Sequence, residues 1–207
     1  MNTPHHDGSH SFGERRLQQQ LGTTARADDF YDRQVRAELT PQMREFIARQ
    51  PMVFLSTADA RGNCDTSFRA GPPGFVQTLD ERTLIYPEYR GNGVLASAGN
   101  ISENPHIGLL FMDFSDDHVG LHVNGAARLR AAEDQQPGLD LLSAPAAAGR
   151  TPQMWIHITV HEAYIHCSKH IPHLVPAPRD RNSARNRPKD AEYFTETARQ
   201  TVGPAGR

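Results

Sequence analysis

At 207 residues, with 37% hydrophobic and 22% charged positions, the chain has room for one domain with a real core and polar flanks. Twenty-two Lys and Arg against 24 Asp and Glu leave a formal net charge of −2, so no overall field favours nucleic acid. No apolar run approaches the roughly 20 residues that span a bilayer, and the first residues lack the apolar stretch of a secretory signal. Two cysteines, Cys64 and Cys167, are too few for a disulfide framework, and a cytoplasmic protein is the expectation.

In chain order, residues 1–13 are polar and His-rich and read as a mobile tail. A helical segment is expected over 14–50. Within it "ADDFYDRQVRAEL" suggests one helix and "LTPQMREFIARQ" a second, with Thr40 as cap, Pro41 at the first helical position and Met43, Phe46 and Ile47 on one face. From Pro51 the period changes to that of strands. "MVFLSTADARGNCDTSFRAG" reads as strand, turn and strand, and "FVQTLDERTLIYP" repeats the pattern with its turn near Asp80. A helix is expected over Gly93–Glu103. "HIGLLFMDF" and "VGLHVNGAARLRA" form the next pair, linked by Ser115–Asp117. "QMWIHITVHEAYIHC" is the last long strand, with Ile156, Ile158 and Val160 on one face. Six or seven antiparallel strands with flanking helices predict a mainly β fold, a small barrel spanning 51–176. Residues 177–207 carry charge and proline with few large apolar side chains, and read as a disordered tail.

Three groups of residues could carry chemistry. In "YPEYRGNG" the glycines open the backbone to an anion, Arg90 could grip phosphate oxygens and Asn92 could add a neutral donor; a plain surface turn is the competing reading. The dinucleotide and P-loop fingerprints are absent. In "TSFRAGPPGFV", Ser67 and Arg69 lie two apart on a strand, hence on one face, before two prolines and two glycines stop regular pairing. The histidines of "HITVHEAYIHCSKH" invite a zinc reading. His157 and His161, four apart on a strand, would stand about 13 Å apart at ~3.3 Å per residue, too far to share an ion. No Cys-x-x-Cys, His-Glu-x-x-His or Gly-x-Ser-x-Gly pattern occurs, so no metal site and no serine nucleophile is expected.

Taken together, "MVFLSTADARGNCDTSFRAGPPGF", "LIYPEYRGNGVLASAGNISENPHIGLLFMDF", "LHVNGAARL" and "VHEAYIHCSKHIP" resemble the pyridoxamine 5′-phosphate oxidase-like flavoproteins with the FMN-binding split barrel. The resemblance runs from about Gln50 to Leu174. It implies a homodimer holding two flavins in grooves between subunits, and an oxidoreductase passing hydride through the flavin N5 between a small-molecule substrate and, as one reductant, a nicotinamide. It places Arg69, Tyr89, Arg90, Gly91, Asn92 and Gly93 near the FMN phosphate and ribityl chain. Ser67 and the Tyr86–Pro87 backbone lie alongside, and Asn100 sits near the helix. His166 and Lys169, from the partner, would reach the polar edge of the ring. Members of the family also bind deazaflavin or haem, and the alternative reading of this chain is a non-catalytic flavin, deazaflavin or haem carrier. Pyridoxamine phosphate oxidase proper has a Ser-Arg-Lys segment before its Asn-Pro. This chain has "GVLASAGNISENP" there, which points away from vitamin B6 oxidation.

Overall fold

The computed structural model describes residues 11–133, 151–175 and 177. Apart from residues 11–13 and 177, the expected N- and C-terminal tails lie outside the described residues. The chain divides at His173 into two units, and the first, Met1–His173, carries all the helices and strands given below.

Three helices open that unit: α1 (Phe12–Leu21), α2 (Thr24–Gln34) and α3 (Pro41–Arg49). The first begins inside the stretch read from sequence as a tail, because the Ser11 side chain accepts the Glu14 N–H and supplies the cap. Thr40 caps α3 through the Met43 N–H, Pro41 occupies the first turn, and Phe46 and Ile47 enter the core, as their spacing predicted.

The strands are β1 (Met52–Ala58), β2 (Cys64–Ala70), β3 (Gln77–Thr78), β4 (Thr83–Tyr89), β5 (His106–Met112), β6 (Gly120–Ala131) and β7 (Pro152–His166). Helix α4 (Ala96–Glu103) joins β4 to β5. All seven pair antiparallel in one sheet of order β2-β1-β5-β6-β7-β4-β3. The fold is the mainly β, antiparallel barrel that the strand pattern predicted, of the split type that the family resemblance implied. Side chains alternate between its two sides. Val53, Leu55, Leu84, Tyr86, Phe111, Val123, Ile156 and Ile158 point inward and are fully buried, each contributing about 1.5–3 kcal/mol through the area it withdraws from water.

In β7 the alternation breaks at His161. Asn124 pairs with Glu162 but Gly125 with Val160, so His161 is the extra residue of a β-bulge. That corrects the expectation that His157 and His161 share a face: His157 is buried and His161 exposed. Glycine is required opposite the bulge, because a Cβ on Gly125 would lie 2.1 Å from the Thr159 carbonyl oxygen.

Candidate functional site

β2 and β4 are not neighbours in the sheet, and side chains rather than a hydrogen-bond ladder bring them together. Asp65, Ser67 and Arg69 project from the half-buried side of β2, and Tyr86 and Glu88 from the interior side of β4. Arg69 Nε and Nη2 donate to Glu88 Oε2 at 3.0 and 2.9 Å, and Nη1 donates to the Phe68 carbonyl at 3.2 Å. Both partners are largely sheltered, with 24% and 11% of their side chains exposed. The ion pair therefore closes the split of the barrel at one end.

Beside it, the Tyr86 side chain is completely buried, and its hydroxyl has no hydrogen-bond partner. Burial pushes the phenol pKa up; nearby Arg69 opposes that shift and Glu88 adds to it.

At the other end of the same β2 face, helix α4 closes the space. The Ser97 hydroxyl lies 3.0 Å from both Asp65 Oδ2 and Ser67 Oγ, and Ser67 Oγ donates to Asp65 Oδ2 at 2.8 Å. Asn100 Nδ2 donates to Thr57 Oγ1 of β1 at 3.1 Å, tying the helix to the barrel. This accounts for the place of Asn100: its amide is a fastening between α4 and β1.

Between β4 and α4 runs the Arg90–Leu95 loop. Asn92 Oδ1 accepts the Val94 N–H at 3.0 Å, which leaves its Nδ2 as a donor. Gly93 has φ 84°, a conformation glycine adopts without cost, and Leu95 has φ 53°, which costs a residue with a Cβ about 1–2 kcal/mol. Leu95 is also the N-cap residue of α4 and gives no side-chain cap, so the first-turn N–H groups remain free to meet an anion. Arg90, Gly91, Asn92 and Gly93 are exposed, as are Val94 and Leu95. The β4 edge from Tyr86 to Glu88, on the side away from β7, has no strand partner among the described residues, since β3 pairs only with Leu84 and Ile85.

The structure thus gathers Ser67, Arg69, the Tyr86–Tyr89 strand end, the Arg90–Gly93 loop and Asn100 around α4 and the split. His166 and Lys169 belong elsewhere within one chain. His166 stands on the outer face of β7 with its Nδ1 2.9 Å from His122 Nε2, and Lys169 is exposed in the short 3-10 turn Ser168–His170. Reading by motif missed Asp65, Glu88 and Ser97. The first two were within reach of strand alternation, being two residues from Ser67 and Tyr86; Ser97 has no such signal in a run of small residues.

The comparisons with known proteins fit this architecture. The family model described as pyridoxamine 5′-phosphate oxidase matches residues 39–167, more than half of the chain. The chain belongs to this family. As a pyridoxamine 5′-phosphate oxidase-like protein it is similar to solved structures that include HupZ of Group A Streptococcus, at 19% identity and TM-score 0.49, covering 66% of this chain and 99% of that one. HutZ, the haem storage protein of Vibrio cholerae, matches at 14% identity and TM-score 0.39 over 61% and 94% of the two chains. An F420 reductase matches at 16% and 0.39 over 61% and 98%. At these scores the likenesses assign no ligand. No curated protein matches the chain. No helix among the described residues is long and apolar enough to cross a membrane.

Proposed function

We propose that this pyridoxamine 5′-phosphate oxidase-like protein is an FMN-dependent oxidoreductase acting as a homodimer, with the flavin phosphate held at the Arg90–Leu95 loop. The observation that carries the reading is the join between β4 and α4. There an exposed Arg90, a left-handed Gly93 and a left-handed, uncapped Leu95 precede the helix start. Backbone in a costly conformation, a free guanidinium and unclaimed first-turn amides together suit a phosphate monoester.

The residues present fit that group, with a division of labour. Arg90, the amides of Gly91–Gly93 and the Asn92 Nδ2 take the phosphate. Ser67 is a poor phosphate contact, because an anion there would face the Asp65 carboxylate 2.8 Å away. Asp65 is instead an acceptor suited to ribityl hydroxyls, with Ser67 and Ser97 beside it. Arg69 reaches the ligand only by exchanging Glu88 for it. The Tyr86–Glu88 backbone, on the side away from β7 that β3 does not reach, offers hydrogen-bonding groups along the ring's polar edge. Exposed Val94 and Leu95 supply apolar surface for the second subunit, whose His166 and Lys169 complete the groove. When bound, FMN supplies hydride transfer through N5 to or from a small molecule, with a nicotinamide as candidate reductant; the chain's own side chains bind, orient and exclude water.

The absorption spectrum of the purified protein tests the class of cofactor. Flavin bands bleached by a reduced nicotinamide support the enzyme. A Soret band would establish haem, a deazaflavin spectrum that cofactor, and bound flavin that resists all nicotinamides a carrier. Replacing Arg90 by Ala is expected to weaken FMN by about 1.5–3 kcal/mol, the range for hydrogen bonds to a charged group. Unchanged affinity in a flavin titration removes Arg90 from the phosphate.

A further inference from the structure

The outer face of β6 and β7 carries a histidine pair, and the proposed flavin groove draws on only one of the two, His166. His122 lies opposite Tyr164, and His166 lies opposite Gly120, so the two histidines are diagonal neighbours on adjacent strands. His122 Nε2 and His166 Nδ1 are 2.9 Å apart. The His122 ring is stacked on Tyr164 at 4.7 Å and 18°, and Phe30 of α2 meets the edge of Tyr164 at 6.0 Å, so the imidazole is held in place from behind.

Gly120 makes the arrangement possible. A Cβ there would lie 2.6 Å from Met112 Sδ and 2.8 Å from His166 Cβ, so the missing side chain lets a thioether and an imidazole close over the same spot. Met112, paired with Gly120 from the β5 side, is thus a soft donor bordering the pair.

We propose that His122 and His166 form a binding site for a copper ion, with Met112 flanking it. Two nitrogens 2.9 Å apart, each about 2.0–2.1 Å from one ion, subtend an angle near 90° at it. That is the cis angle of a tetragonal or square-planar ion; a tetrahedral ion would need the nitrogens farther apart. The rings have only to turn from facing each other to facing a common corner. Copper(II) prefers that geometry, leads the divalent series in affinity for imidazole, and in its reduced form accepts a thioether.

No three of His, Cys, Asp and Glu converge on one point among the described residues, so the pair supplies two positions and water or a small ligand the others. Burial, then the neighbouring His166, lowers the His122 pKa, against a smaller opposing pull from Glu162. The sequence directed attention to His157 and His161, which the bulge separates; the strand pairing selects a different pair.

The test uses the full chain with Cys64 and Cys167 changed to Ser and His5, His6 and His10 changed to Ala. These changes silence the exposed thiols and the N-terminal histidines. Buffered Cu2+ is titrated by calorimetry, and the bound ion is examined by electron paramagnetic resonance. One ion with tetragonal parameters and two nitrogen couplings is expected, bound more tightly than Ni2+ or Zn2+. His122→Ala and His166→Ala should each lower affinity by about tenfold or more, the loss that removal of even an outer-shell partner can produce. His166→Gln keeps a polar group and guards against misfolding, which thermal melts monitor, and should lose affinity equally. His106→Ala, an exposed control on β5, should bind as the parent does. Absent binding, or affinity unchanged in the His122 and His166 variants, overturns the site. Tighter Zn2+ than Cu2+ overturns the geometry argued for it.

Discussion

The Arg69–Glu88 pair is where stability and ligand binding meet. Removing one partner of a buried ion pair costs about 3–5 kcal/mol, chiefly because the other charge stays buried and alone. Arg69 keeps 24% of its side chain exposed and Glu88 11%, so solvent relieves part of that penalty. Arg69→Met is therefore expected to destabilise by about 2–3 kcal/mol, and Glu88→Gln, which keeps an acceptor for the guanidinium, by about 1–2 kcal/mol. The double variant Arg69→Met/Glu88→Leu removes both charges and replaces them with apolar bulk. It should return to within about 1 kcal/mol of the parent, giving a large favourable coupling in the cycle. Urea unfolding of the four proteins, followed by tryptophan fluorescence from Trp155, supplies the numbers. Additive single effects, or an Arg69→Met variant as stable as the parent, would refute the view that this contact closes the barrel. The same variants report on the flavin. If the ligand competes with Glu88 for Arg69, then Glu88→Gln tightens FMN; if Arg69 serves only as a clasp, affinity does not move.

Three further outcomes follow from individual contacts. Tyr86→Phe removes a buried hydroxyl that has no partner, so it should stabilise the protein by about 1 kcal/mol in the same assay; a loss would reveal a bound water or ligand on that oxygen. Gly125→Ala drives a Cβ against the Thr159 carbonyl and should cost about 3 kcal/mol, since neither backbone can give; a near-neutral melt would mean the bulge relaxes easily. Asp59 accepts the Arg61 and Asn63 N–H groups and the Asn63 amide in the β1–β2 turn. The Asn63 side-chain and backbone bonds, ahead of the Arg61 contacts, lower its pKa to about 2. Because the folded pKa lies below the unfolded one, the turn's contribution is complete above about pH 4 and fades as pH falls through about 2. Asp59→Ala should flatten that part of the stability–pH curve, and parallel curves for the two proteins would contradict the assignment.

Much of the fold was legible in the chain. Thr40-Pro41 before an apolar face announced α3, and the alternation in "HIGLLFMDF" and "QMWIHITV" announced β5 and most of β7, because capping and two-residue periodicity are local properties of adjacent residues. The turn chemistry of Asp59–Asn63 marked the first hairpin for the same reason. Local pattern also put Ser67 and Arg69 on one face and placed a glycine-opened loop before a helix. Those features, with the separated motifs in order, made the family visible.

What the chain order could not express was which distant groups meet. Arg69 finds Glu88 only because the sheet curls until its first and sixth strands approach, and Ser97 finds Asp65 only because α4 folds back onto β2. Both contacts change the electrostatics of the site: one occupies the arginine, and the other sets a carboxylate beside Ser67. The bulge at His161 likewise reversed a face assignment, since one extra residue shifts every later side chain to the opposite side. Sequence by itself determined most of the elements and the glycine-opened loop before α4. Tertiary structure decided the charges around that loop and the pairing of His122 with His166, because strand register and sheet curvature are set by packing across the whole barrel.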